Sequence, residues 1–295
     1  MRVNPNAISD LLAALNITEL QSQQAELQIA SGHSVNVPSD NPTAAALLVE
    51  NNDQATLTGG YLQSISAVQG QLSTADSTLS SVTSALQQAL SLGVEAAGGT
   101  LSTGDLAAIA TQLQGIQSQI VALANTSYQG KHIFAGTNVD SPPYVPDVLS
   151  PSGYDYAGNT DVNQVSIGKG YQIAVNQPGS QLFSAPGNDV LLAINNLIIA
   201  VQTNKDLPGA ITAVTAASSY LSAQQAFYGD ATDQTQSQTG YLNSAQVQIN
   251  QQQNGLGGVN LAVAANNLSQ AQLDTQAALA AISKFQQNNL FDYLK

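Results

Sequence analysis

Few side chains in this 295-residue sequence could do chemistry, and their spacing leaves each of them without the company that chemistry needs. There are two histidines, His33 and His132, and no cysteine. Disulfides, thiolate metal sites and cysteine nucleophiles are therefore excluded together. Neither histidine has a carboxylate at helical spacing, so both read as loop or surface residues and not as ligands. Asp40 has the type of a general base, but an N-cap role explains it more simply, with Asp40 or Asn41 capping the helix that has Pro42 in its first turn. The acidic residues are scattered, unlike those of a calcium loop. No G-x-x-x-x-G-K-[ST], G-x-S-x-G, H-E-x-x-H or helix-opening G-x-G-x-x-G occurs. An activity carried on the scaffold would have to show itself as one lost on changing Tyr154 or Asp155. The expectation is a non-enzymatic protein with no cofactor and no metal.

Composition points the same way. Charged residues make up 8% of the chain, against about a quarter in ordinary globular proteins. Ser, Thr, Gln and Asn stand in their place, and a neutral amide costs less to dehydrate than an ion. Such a surface can be buried repeatedly between subunits. The net charge is −13, with no Lys or Arg between Arg2 and Lys131. Binding to nucleic acid or to anionic membranes would need a basic footprint and is not expected. No run approaches about 18 consecutive apolar residues, the length a spanning helix requires. Met1 to Asp10 lack both a basic region and an apolar run, so no cleaved secretory signal is expected.

The elements that would position any site are helices with narrow seams. Near the end of the chain Leu261, Ala264, Leu268, Ala271, Thr275, Ala278, Ile282 and Phe285 recur three and four apart. Near its start Ile8, Leu11, Leu15, Thr18, Ser22, Ala25 and Ile29 do the same. Seams this narrow are made for one partner helix. A stricter repeat, Ile65, Leu72, Leu79 and Leu86 with Val68, Ala75, Val82 and Ala89, precedes a Gly-rich reversal at 93–104. Leu106, Ile109, Leu113, Ile116, Ile120 and Leu123 follow, so an antiparallel pair is expected. A further helix resumes at Asp189. Leu207-Pro208-Gly209 reads as a break, followed by about 45 residues of helix, a rod of about 65 Å, with Val214, Leu221, Tyr228, Thr235, Leu242 and Ile249 in step.

Between them lies a Pro-, Gly- and Tyr-rich stretch. Lys131 to Gly136 alternates as a strand would, and Val165–Ile167 with Tyr171–Val175 flank a Gly-Lys-Gly turn. The expected fold is mainly α with an inserted small β domain: an elongated antiparallel helical bundle or coiled coil whose terminal helices pair with each other. Its expected divisions are 1–42, an assembly helix and loop; 43–130, the first half of a rod; 131–188, the β-rich insert; 189–253, the second half of the rod; and 254–295, a second assembly helix. Asn254 to Gly258 reads as a flexible joint, and Leu290, Phe291, Tyr293 and Leu294 as a terminal contact cluster or a docked tail.

Three stretches carry a resemblance. Ala30 to Pro42, ASGHSVNVPSDNP, resembles the ASGKRINRPSDDP-type loop of the flagellin superfamily, through Ser31, Gly32, Asn36, Pro38, Ser39, Asp40 and Pro42. Gly130 to Thr137, GKHIFAGT, and Leu290 to Leu294, LFDYL, resemble the strand entry and terminus of its hook–filament junction branch. His33, Ser34, Val35 and Val37 depart from the mostly basic residues of that loop. The resemblance implies an extracellular axial protein of the bacterial flagellum, exported unfolded by a type III route without a cleaved signal. Its implied partners are copies of itself in a ring-like layer, a hook-associated protein on the hook side, flagellin on the filament side and a cytoplasmic export chaperone at the C-terminal region. A filament-forming flagellin, or another type III-exported structural or translocator protein, is the alternative.

Overall fold

The structure, a computed structural model, describes the backbone of residues 7–99 and 101–292 and the side chains of residues 9–99 and 101–284. The chain divides into two compact units, Thr58–Asn243 and a terminal unit of 1–57 with 244–295. Two long helices, α2 (Pro42–Ala97) and α6 (Leu207–Gly257), contribute residues to both.

The central unit is built on the seven-residue repeats. All eight α2 seam positions from Ile65 to Ala89 are 4% exposed or less. On α6, Val214, Leu221, Tyr228, Thr235 and Leu242 are buried in the same way. The two helices run antiparallel, because Gln69 Nε2 donates to Thr235 Oγ1 (3.3 Å) while Gln225 Nε2 donates to Asp76 Oδ1 (3.0 Å). Helix α3 (Thr103–Ala124) opens on a capping box in which Ser102 and Asp105 satisfy each other's backbone N–H groups. Its Leu113 and Ile120 are fully buried, and it packs on α5 (Val190–Thr203). Gly93 lies inside α2, not in the reversal. A Cβ there would come within 3.1–3.2 Å of Leu197 and Ile211, so the glycine allows close approach of α5 and α6.

The insert holds three separate antiparallel ladders among the described residues. They are β1 (Ser127–Tyr128) with β2 (Lys131–His132), β3 (Tyr144–Pro146) with β4 (Tyr154–Tyr156), and β5 (Gln164–Gly168) with β6 (Tyr171–Ala174). The expected strand over Lys131–Gly136 ends after His132. Ile133, Phe134 and Ala135 are buried in succession, which an alternating strand cannot do. Phe134 instead packs edge-on against Phe183 (5.2 Å), and Tyr144 against the same ring (6.0 Å). Phe134 O accepts from Gly179 N, in the single turn α4 (Gly179–Leu182), and from Tyr156 OH. Phe134, Ile167, Ile173 and Leu182 belong to the same apolar cluster as the seams of α2, α3 and α6, so insert and bundle share one interior.

Helix α6 also departs from expectation at both ends. It begins at Leu207, so Pro208 and Gly209 lie in its first turn, where a missing N–H costs nothing. The break precedes them, at Asn204 and Asp206, both at positive φ (50° and 53°). At the other end the helix runs through Gly257, leaving only Gly258–Asn260 as a joint.

In the terminal unit α1 (Ala7–Ser31) packs along α7 (Leu261–Asp292). Thr275 Oγ1 donates to Thr18 Oγ1 at 3.4 Å, and Gln21 and Ala25 share a shallow groove with Ala271 and Asp274, so the pair is antiparallel. Among the described residues, the buried apolar residues of this unit are few and mostly small: Ala25, Ala44, Ile249, Ala264 and Ala271.

Candidate assembly interface

The loop that joins α1 to α2 is held by its own polar groups. Asp40 does not cap α2. Its Oδ2 accepts from the backbone N–H of Asn36 (2.9 Å) and Val37 (3.1 Å), and its Oδ1 accepts from Gln24 Nε2 on α1 (3.2 Å). The cap of α2 is Asn41, whose Oδ1 accepts from Ala44 N at 3.0 Å. Ser31 Oγ accepts from His33 N, and Asn36 Nδ2 donates to His33 O. Gly32 takes a left-handed conformation (φ 73°), as a residue past a helix end should. Pro38, Ser39 and Pro42 are exposed on the outside of the turn.

The same loop clasps the joint between α6 and α7. Ser34 N donates to Gly257 O (2.7 Å) and Val259 N donates to Gly32 O (3.2 Å), with His33 bridging Gly258 between them. Gly257 is buried against Leu48, where a Cβ would sit 3.2 Å from a methyl group. The joint is therefore fastened to the loop, contrary to its sequence reading as flexible. The four departures from the basic loop pattern do not disturb this. His33 and Val37 point to solvent, and the backbone geometry rests on Asp40, Asn36 and Ser31.

Along the helix pair the seam positions Leu11, Leu15, Ile29, Leu268 and Ile282 are half-buried. Leu261 is 58% exposed and lies outside the seam, which starts at Ala264. The side chains of Ile8, Phe285, Leu290 and Phe291 lie outside the described residues, as do Tyr293 and Leu294 altogether. The sequence reading missed the outward face of α1. Leu20 and Leu27 are 64% and 60% exposed, and Ile17 adjoins them. The signal was present in the seven-residue step Ala13, Leu20, Leu27, which runs beside the inner seam. Leu47, Val49, Val263, Leu273 and Leu279 add exposed apolar area to the same unit.

No group of three or more His, Asp or Glu side chains converges on a metal site among the described residues. His132 Nδ1 donates to Asn125 O at 2.8 Å, a structural bond. Asp155 is exposed on β4, and Tyr154 next to it gives its backbone N–H to the Ser152 hydroxyl and accepts from that hydroxyl at its C=O. Burial pushes the phenols of Tyr144 and Tyr228 well above their usual range, so both stay neutral donors or acceptors inside the core.

Residues 3–139 match the bacterial flagellin N-terminal helical region, and residues 211–294 match the flagellin C-terminal helical region. Flagellar hook-associated protein 3 of Salmonella typhimurium is 33% identical over 172 residues, covering 57% of this chain and 53% of that protein. The protein of the same name from Escherichia coli is 30% identical over 176 residues, covering 58% of this chain and 54% of its own length. The chain thus spans about half the length of the curated relatives it matches. The crystal structure of Bacillus cereus FlgL has a similar fold, with a TM-score of 0.56 and 20% identity over 72% of this chain and 100% of that one. With its two terminal helical regions matched on either side of the β insert, the chain belongs to the bacterial flagellin family.

Proposed function

We propose that this chain is a structural axial protein of the bacterial flagellum, without enzymatic activity, and that it forms the junction layer between hook and filament. The observation that carries the proposal is the contrast between a helix pair whose described residues bury little apolar volume and the apolar outer face it leaves open, Ile17, Leu20 and Leu27 among its members. Copies packed side by side would cover that face, and the ordering of the terminal helices would be completed by burial between subunits. The working division follows from this reading: 1–42 and 254–295 are assembly arms, 43–130 and 189–253 a rod, and 131–188 an insert. The seam residues Leu11, Leu15, Ile29, Leu268 and Ile282, and the loop around Asp40, are the assembly residues.

The neighbours in this reading are a hook-associated protein on one side and flagellin on the other, with an export chaperone on the C-terminal region before assembly. Location outside the cell, on the flagellum, goes with it. Electron microscopy of native flagella decorated with a labelled antibody tests the proposal. A single narrow band at the hook end is expected; label along the whole length would overturn the junction role. The flagellin matches favour a second reading, in which the chain builds the filament itself. Purified chain added to sheared filament seeds separates the two, since a filament subunit elongates the seeds and a junction subunit does not.

A further inference from the structure

The turn between β3 and β4 presents two aliphatic side chains to water with nothing over them. Val148 is 98% exposed and Leu149 is 89% exposed. The turn is not loose. Asp147 Oδ1 accepts from Leu149 N (2.9 Å), Ser150 N donates to Asp147 O (3.2 Å), and Asp147 N donates to Gly153 O (3.0 Å). Behind it, Gln117 Nε2 donates to Ser152 O and Asn195 Nδ2 to Pro151 O, fixing the hairpin against α3 and α5. A rigid turn that spends its hydrogen bonds on holding two apolar groups outward is preorganised for contact.

Elsewhere in the central unit, a groove of about 610 Å³ opens between α2 and the insert. Ala67, Val139 and Val165 supply its accessible apolar walls over a floor of buried Val68 and Val175, and Lys131 and His132 line it too. In a chain with a net charge of −13 and six basic residues, a lysine at a groove mouth marks a place where an acidic turn is least repelled. Asp161 contacts Thr137, which also lines the groove, so a carboxylate is least repelled beside Lys131. Asp147 brings one carboxylate beside the Val148–Leu149 pair.

The two features cannot meet within one chain. The turn lies beside Gln117, and that part of α3 faces α2 at Gln88 and Leu92. The groove lies on α2 at Ser64 to Gln71. At 1.5 Å per residue even their nearest positions, Gln71 and Gln88, are about 25 Å apart along the helix. We propose that the Val148–Leu149 turn of one copy docks in this groove of a second copy, against Ala67, Val139 and Val165, with Asp147 facing Lys131. This is a head-to-tail contact between unlike surfaces, the kind that closes into rings. Two side chains bury far less than the about 1,200 Å² of a stable interface, so the contact acts where other contacts already align the copies. The inference builds on the proposed axial role, but the experiment reads the contact in purified chain, independently of any flagellar location.

The absence of cysteine makes covalent trapping clean. Full-length Val148→Cys and Gln164→Cys, at the turn and at the exposed groove rim, are mixed at high concentration and oxidised. The mixed disulfide is expected to exceed either homodimer, and to exceed about tenfold the product of Val148→Cys with Val247→Cys, a solvent-exposed aliphatic position on α6. Lys131→Glu should abolish the excess. Asp147→Asn, which keeps the acceptor for Leu149 N, should reduce it several-fold and flatten its salt dependence. Equal yields from the groove and control pairs, or an excess indifferent to Lys131→Glu, overturns the proposal.

Discussion

The central and terminal units use the same seven-residue logic with different side chains. In the centre the repeating positions are Leu72, Leu79, Leu86, Leu221 and Tyr228, and each is all but sealed from solvent. At the ends the closest-packed positions are Ala25, Ala264 and Ala271, flanked by Thr18 and Thr275. A fully buried leucine contributes about 1.5–3 kcal/mol, whereas an alanine buries little beyond a methyl group. Repeat spacing therefore announces that a helix will have a partner. Side-chain volume decides how much of the pair's stability is its own and how much must come from neighbours.

The largest test of that contrast is a matched set of truncations. Leu72→Ala and Leu221→Ala should each lower the unfolding free energy of the monomer by about 2–5 kcal/mol, because they empty fully buried positions. Leu15→Ala and Leu268→Ala, at half-buried seam positions, should cost under about 1.5 kcal/mol in urea titrations of the same monomer. Equal losses would erase the distinction between the units. Hydrogen exchange sharpens the comparison residue by residue. Amides of residues 9–31 and 261–284 should exchange at least about a hundredfold faster than those of the 65–89 seam, as thinly buried helices open locally. Comparable protection in both would show that the terminal pair is stable alone and would remove the case for its completion on assembly.

The regular parts of this architecture were open to a sequence reading because their signal is repetitive. Eight α2 positions and the α6 series from Val214 to Ile249 agree with one another, and all prove buried. What escaped was punctuation. Pro208 and Gly209 carry breaker propensities, yet the true stop is a left-handed Asn204, and the proline merely occupies a first turn. Asn254 to Gly258 reads as a hinge by composition, but Ser34 and Gly32 supply backbone partners from a segment more than two hundred residues away. Lys131 to Gly136 alternates on paper, while the aromatic pocket around Phe183 draws Ile133, Phe134 and Ala135 inward together. At the candidate interface the inner seam was legible. The outer stripe at Leu20 and Leu27 has a seven-residue step of its own, but that it stays open to solvent, like the Val148–Leu149 turn, was not legible, since exposure is a property of the finished surface and not of spacing.

The loop at Asp40 offers a smaller and more local test. Asp40→Ala removes the acceptor for Asn36 N, Val37 N and Gln24 Nε2 together, while Asn41 still caps α2. Global stability of the central unit should change by less than about 0.5 kcal/mol, as befits a site away from its core. Limited proteolysis between 32 and 41 should speed up several-fold, and exchange of the Ser34 and Val259 amides should rise with it, because the loop and the joint are bonded to each other. An unchanged cleavage rate would mean that the clasp to Gly257 and Gly258 suffices without Asp40.

A pH comparison separates a cap from a charge at the start of α5, in the central unit. Asp189 Oδ1 accepts from Leu192 N at 2.8 Å, and partial burial raises its carboxyl above the usual range despite the backbone bonds that favour ionisation. A folded pKa above the unfolded one means that the native state holds the proton more tightly. Ionisation therefore subtracts stability as pH climbs from the ordinary carboxylate value of about 3.9 through the raised one. Asp189→Asn keeps an acceptor for Leu192 N and has no charge to bury. Relative to the parent, this variant should gain stability as pH rises through that window and show no gain below it. Asp189→Ala loses the cap at every pH, at a cost of about 1 kcal/mol. Thermal melts of both variants at pH 3 and pH 7 decide the matter: a pH-independent Asn difference would mean that the carboxylate is as well solvated folded as unfolded, and that the central unit's interior stops short of this helix end.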